Sequence, residues 1–150
     1  MSAISVSNER EIQPYQLSLE QLNSLKTQHE EEINELQNQL DQLSAARSRF
    51  LNAKISLTDI STYKNGDSLY VPLSSSLYVP GYVEDSDKVM VELGTGYFVE
   101  KTITDAKELI DRKIALINSS IETIENVGNN KKKNISMLTQ AIQYKMSLIK

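Results

Sequence analysis

The sequence predicts a mainly α chain with a small β component: a long antiparallel coiled coil formed within one chain, its two helices joined by two consecutive β-hairpins. Three observations carry that expectation. Two seven-residue apolar rhythms flank the middle of the chain. The stretch Asp67 to Lys101 breaks them, holding two of the three prolines, three of the five glycines and four of the seven tyrosines. Within it Leu69-Tyr70-Val71-Pro72 recurs eight residues later as Leu77-Tyr78-Val79-Pro80.

The totals agree with a long-helix protein. With 150 residues there is room for one domain, but 6% aromatic residues, no Trp and 24% charged residues are lean for a globular core. The absence of cysteine removes thiolate and disulfide chemistry and fits a reducing compartment. A net charge of −4 gives no sign of a nucleic-acid partner. No basic run followed by an apolar stretch opens the chain, so no secretory leader is expected. No window approaches the ~18 apolar residues of a membrane span.

Residues 1–13 are polar and aperiodic and are expected to form a loose tail. The first coil helix is expected over 14–64. Pro14 suits a helix start, and Ser18 with Gln21 resembles a capping box. Heptad positions Leu19, Leu22, Ile33, Leu36, Leu40, Leu43, Phe50 and Leu57 make eight of twelve seam sites apolar. Asn65-Gly66 is a helix stop. The hairpins fill 67–101. Leu69, Val71 and Leu73 alternate with Tyr70 and Pro72, Ser74-Ser75-Ser76 turns the chain, and Leu77 to Val79 returns before Pro80-Gly81 breaks the strand. Lys88–Leu93 and Tyr97–Glu100 form the second hairpin around Gly94-Thr95-Gly96. That glycine pair joins strands and lacks the helix of a phosphate loop. Thr102 or Thr104 caps the second coil helix, 103–150, with Asp105 in its first turn. Its seam is apolar at nine of twelve sites: Ile110, Ile114, Ile117, Ile121, Ile124, Ile135, Leu138, Ile142 and Ile149. Gly128-Asn129-Asn130 is its weak point.

Helices that start level at the hairpins would set Leu57 against Ile110, Phe50 against Ile117 and Ile33 against Ile135, with Leu40 filling the space at Gly128. Lys26, His29, Lys131 and Lys145 would then enter the seam toward the free ends, where Leu22 would lie near Lys145 and Leu36 over Lys131. Residues Leu17 to Ile60 carry seven acids and four bases, and Thr104 to Lys150 five acids and eight bases, which favours pairing of the arms. Four short strands with no covering helix leave Leu69, Val71, Leu77, Val79, Val89, Val91, Tyr97 and Val99 to be buried by other subunits. Spare apolar residues gather at the free ends. Tyr15, Leu22, Leu25, Ile142, Met146, Leu148 and Ile149 read either as contacts for varied apolar sequences, a role that flexible Met-containing surfaces suit, or as scattered apolar residues of ordinary fraying helix ends.

These residues resemble an α-class prefoldin subunit over nearly the whole chain. The carrying features are the two heptad arms, Val71-Pro72-Leu73, Leu77-Tyr78-Val79-Pro80-Gly81, Asp87-Lys88-Val89 and Gly94-Thr95-Gly96-Tyr97-Phe98-Val99-Glu100-Lys101. The resemblance implies a hexamer with a second α-class subunit and β-class subunits, a central double β-barrel built in part from the hairpins, and coils whose tips hold unfolded actin and tubulin for the cytosolic group II chaperonin without ATP. It implies no cofactor, no nucleic acid and no membrane, and a cytoplasmic location with the nucleus as a second.

Other readings weigh against individual residues. His29, the sole histidine, reads as a polar seam residue rather than a metal ligand. Lys131-Lys132-Lys133 reads as a solvated face, with an acidic partner as the alternative. The sequons at Asn118 and Asn134 read as chance. No nucleophile–base pair, paired carboxylates or metal cluster points to an enzyme. The alternative function is a coiled-coil scaffold or regulatory protein that docks one folded partner or a transcription factor.

Overall fold

The computed structural model describes residues 13–149, so the tail expected over 1–13 lies almost wholly outside the described residues. A 3-10 turn at Pro14–Gln16 precedes helix α1 (Leu19–Ile60). Strands β1 (Ser68–Pro72), β2 (Tyr78–Tyr82), β3 (Lys88–Gly94) and β4 (Tyr97–Thr102) follow, and helix α2 (Ile103–Ser147) closes the chain.

The start of α1 is the capping box read in the sequence. The Gln21 amide donates to Ser18 Oγ (3.2 Å), and the Ser18 amide donates to Gln21 Oε1 (3.0 Å), satisfying two amides the helix cannot. The helix starts at Leu19 rather than residue 14 because Pro14 begins a separate turn closed by the Leu17 amide on the Pro14 carbonyl. It ends at Ile60, short of Asn65-Gly66. Ser61 and Thr62 turn their hydroxyls back onto the carbonyls of Thr58 and Asp59, offering the backbone an alternative to the helical ladder. Asn65-Gly66 instead docks the chain onto the first hairpin. Gly66 has φ +87° and its amide donates to the Val83 carbonyl (2.6 Å), while Asn65 Oδ1 accepts from the Ser86 amide (2.8 Å).

Two separate antiparallel hairpins form, β1 with β2 and β3 with β4. Strand β2 runs through Pro80-Gly81 instead of breaking there. Pro80 stands opposite Tyr70, and a two-stranded hairpin leaves β2 one open edge where a missing amide proton costs no ladder bond. In the second hairpin a register shift between Glu92 and Gly94 precedes the turn, where Gly96 takes φ +81°.

Thr102, not Thr104, caps α2: its Oγ1 accepts from the Asp105 amide at 3.2 Å. The helix is continuous through Gly128-Asn129-Asn130. The chain divides into two compact units, Asp41–Glu122 and the described parts of Met1–Leu40 with Thr123–Lys150, and both helices contribute to each.

In the Asp41–Glu122 unit the core is Leu57, Ile103 and Ala106, with Ile60, Ile110, Val89 and Val91 packed on it. Val89 and Val91, expected to be buried by other subunits, are half-buried against their own chain's core. Leu57, expected opposite Ile110, shares its core with Ile103 and Ala106 because α2 starts directly out of β4, and Ile110 packs on that core. In the other unit Leu22, Leu138 and Ala141 form the core, with Leu17, Leu25 and Ile142 against it. Leu22 therefore packs about one turn away from the neighbourhood of Lys145 expected for it. Gly128 receives no knob either: a Cβ built there meets nothing within 4 Å, so the expected fit with Leu40 is absent.

Basic seam residues reach partners. Lys54 Nζ contacts Asp111 Oδ1 at 2.6 Å and Arg47 donates to Asn118 Oδ1 at 3.1 Å. Lys131 pairs with Glu32, one turn before the Leu36 expected opposite it, and Lys145 donates to the Leu17 carbonyl. The charges of Arg47, Lys54 and Lys131 thus reach flanking positions of the other helix, while that of Lys145 reaches a main-chain carbonyl just before α1.

Candidate functional site

Two surfaces are candidates. The first is the pair of hairpins. Strand pairing puts Leu69 beside Gly81 and Val71 beside Val79 on one face of the first hairpin. Its other face carries Tyr82, Tyr70, Pro80, Pro72 and Tyr78. Leu69 and Val79 are half-buried, while Val71 and Leu77 are exposed. The three tyrosines are exposed as well, Tyr70 and Tyr82 each at 74%. In the second hairpin Val91 and Val99 share a face with Val89 and Lys101, and Met90, Glu92, Phe98 and Glu100 share the opposite one. Val99 is exposed and Tyr97 is 76% exposed. Each hairpin thus presents apolar side chains that this chain leaves uncovered, a load well above the scattered apolar residues of an ordinary surface.

The sequence reading singled out only the aliphatic face together with Tyr97. The exposed Tyr70, Tyr78, Tyr82, Met90 and Phe98 were missed. The signal for them was the same period of two: Tyr70, Tyr78, Met90 and Phe98 fall between chosen positions, and Tyr82 continues the phase of Tyr78 and Pro80.

The second surface is the unit that holds the start of α1 and the end of α2. Tyr15, Met146, Leu148 and Ile149 are exposed there, as are Met137 and Tyr144. Leu25 and Ile142 are half-buried against the core. Leu22 is a correction: at 0% exposure between Leu138 and Ala141 it is a core residue and not an exposed contact. The Tyr15 and Tyr144 rings meet edge to face, 5.6 Å between centroids and 84° between planes. In the same unit a shallow groove runs along α1 between Leu17 and Leu25, edged by Glu20, Gln21, Ser24 and Gln28.

Nearby, Glu32 gathers Lys131 from α2 with Gln28 and His29 from α1, the His29 ring nitrogen at 3.3 Å. The Lys131 ammonium first, then the Gln28 amide, holds the Glu32 carboxyl below its ordinary value of 4.5. His29 faces a single carboxylate, and no group of three or more metal-ligating side chains occurs among the described residues. No helix of the described chain is long and apolar enough to cross a membrane.

Two long helices around two hairpins, with uncovered apolar faces on the hairpins and uncovered apolar residues at the helix ends, define a coiled-coil subunit of the prefoldin type. The profile described as Prefoldin subunit matches residues 29–147, and the chain belongs to that family. Its relatives place it with subunit 5 of the α class. Prefoldin subunit 5 of Arabidopsis thaliana is 41% identical over 116 residues, covering 77% of each chain. That of Homo sapiens is 39% identical over 110 residues, 73% of this chain and 71% of its own. The probable prefoldin subunit 5 of Dictyostelium discoideum is 36% identical over 134 residues, covering 89% and 83%. Among solved structures, a subunit of filamentous prefoldin from Methanocaldococcus jannaschii superposes with a TM-score of 0.71 at 22% identity, over 79% of this chain and 98% of that one, and shares the fold. The chain is a prefoldin chaperone subunit and not an enzyme.

Proposed function

We propose that this chain assembles through its hairpins with a second α-class and with β-class prefoldin subunits into a hexamer, and that the complex holds unfolded polypeptides, actin and tubulin among them, for the cytosolic chaperonin. The observation that carries the holding role is the cluster of uncovered apolar side chains around the free helix ends: Tyr15, Met146, Leu148 and Ile149, with Leu25 and Ile142 half-exposed behind them. Flexible methionine and aromatic side chains on a water-exposed surface take up varied apolar sequences without demanding one shape. Each contact is weak, and several arms acting together supply avidity. The absence of cysteine suits work in the reducing cytoplasm.

The hairpins supply assembly on the same logic. Val71, Leu77, Val99 and Tyr97 are uncovered, and each hairpin has free strand edges, so partner strands and partner side chains would complete both.

The test is light scattering of a chemically unfolded protein diluted into the co-expressed complex. Met146→Ser, Leu148→Ser and Ile149→Ser together should lower protection several-fold while complex mass and melting stay unchanged. Full protection by the triple variant would refute the assignment. A single saturable folded partner bound by the same surface would instead favour the scaffold reading.

A further inference from the structure

We infer that the segment Pro14–Leu17 is a displaceable strap that covers the apolar layer of the client-binding unit, so that client binding competes with the chain's own N-terminal turn. The inference rests on the client-holding reading above and adds a regulatory contact to it.

Four contacts describe the strap. Pro14 opens a single 3-10 turn that the Leu17 amide closes at 3.2 Å. Leu17 packs on the Leu22, Leu138 and Ala141 core. Lys145 of α2 donates to the Leu17 carbonyl. Tyr15 meets Tyr144 edge to face. The strap is thus fastened to α2 at two points and roofs the core at a third.

Its hold is weak by construction. It is one turn long, it has no helical ladder of its own, and Tyr15 and Tyr144 each remain more than half exposed at 57% and 54%. The capping box at Ser18 and Gln21 terminates α1 independently of it, so the strap can leave while the helix stays capped. Departure would uncover the side of Leu22, Leu138 and Ala141 that Leu17 roofs, open the neighbouring groove beyond Leu25, and free both tyrosine rings. That is the kind of surface an apolar client segment needs. A segment of this chain already occupying it lowers apparent affinity by the fraction of time the strap is shut. Tyr15 meets client only after it has swung away.

The experiment uses the co-expressed complex and a fluorescein-labelled, reduced and carboxymethylated lactalbumin as a permanently unfolded probe. Lys145→Gln removes one fastening without removing apolar surface. It should tighten probe binding roughly threefold to tenfold, as expected when a mostly closed site becomes mostly open. Because the chain has no cysteine, Tyr15→Cys with Tyr144→Cys can be bridged by a short bismaleimide. Bridging should weaken probe binding relative to the same unbridged variant. A Tyr15→Trp reporter follows strap opening by its emission, independently of any client. Weaker binding by Lys145→Gln, or equal binding by bridged and unbridged variants, overturns the strap. A wild-type complex that fails to bind the probe overturns the client-holding reading itself, and the strap's role with it.

Discussion

Lys54 Nζ lies 2.6 Å from Asp111 Oδ1, joining a seam position of α1 to a flanking position of α2 within the hairpin-bearing unit. An ammonium on a seam lengthens its reach to the partner helix and so prefers one stagger over another. Both side chains are well exposed, which limits the pair to under about 1 kcal/mol. Asp111→Lys should cost about that much by setting two cations together, and Lys54→Glu added to it should restore most of the loss. Thermal melting of the complex, treated as a double-mutant cycle, measures the coupling. Additive losses would show that the pair does not fix the stagger.

Leu22 separates stability from client contact. With no exposure and with Leu138 and Ala141 against it, Leu22→Ala should leave a cavity and cost about 2–4 kcal/mol. Hydrogen exchange at the amides of the first turns of α1 should accelerate accordingly. Protection like that of the parent chain would mean the side chain is not confined.

Leu77→Asp probes assembly without disturbing the chain's own core. Leu77 sits at the exposed turn end of the first hairpin, where its carbonyl accepts from the Leu73 amide, and a side-chain change leaves that bond intact. Val91→Asp would be less informative, since Val91 also packs on the Leu57 core. Light scattering should find Leu77→Asp released from the co-expressed complex or aggregated. An unaltered complex mass would show that partner subunits do not use this surface.

Much of the fold was legible because each of its devices is local. The heptads, the Ser18-Gln21 box, the Thr102 cap and the Gly96 turn depend on residues a few positions apart. The stagger of the helices was not legible. In the hairpin-bearing unit the hydroxyls of Ser61 and Thr62 end α1 four residues before the Asn65-Gly66 stop, and α2 starts directly out of β4. In the other unit Leu138 and Ala141 make Leu22 a core residue, and Gly128 meets no side chain. The strap contacts were illegible for another reason: Lys145 reaches a main-chain carbonyl, and backbone acceptors leave no trace in side-chain patterning.

Gly128 offers a stabilising change. It lies inside α2, and an added Cβ meets nothing within 4 Å. Gly128→Ala should therefore raise stability by about 0.5–1 kcal/mol, through a less free unfolded chain and better helix propensity. Melting of the complex should rise with no change in client protection. A lower melting point would indicate a partner side chain seated at the glycine.

Glu32 gives the unit at the helix ends a dependence on pH whose sign is fixed. Lys131 first and then Gln28, with a lesser contribution from His29, hold its carboxyl below the ordinary 4.5 against the opposing effect of desolvation. A depressed folded value means the ionised form is the one the fold prefers. The stabilisation is complete above about pH 4.5 and fades as the pH falls through the lowered value, where protonation releases Lys131. Glu32→Gln keeps the shape and removes the charge. The melting temperatures of parent and variant should differ at pH 6 and draw together as the pH falls below 4.5. A difference that stays unchanged as the pH falls would show that Glu32 supports the unit through packing and not through its ion pair with Lys131.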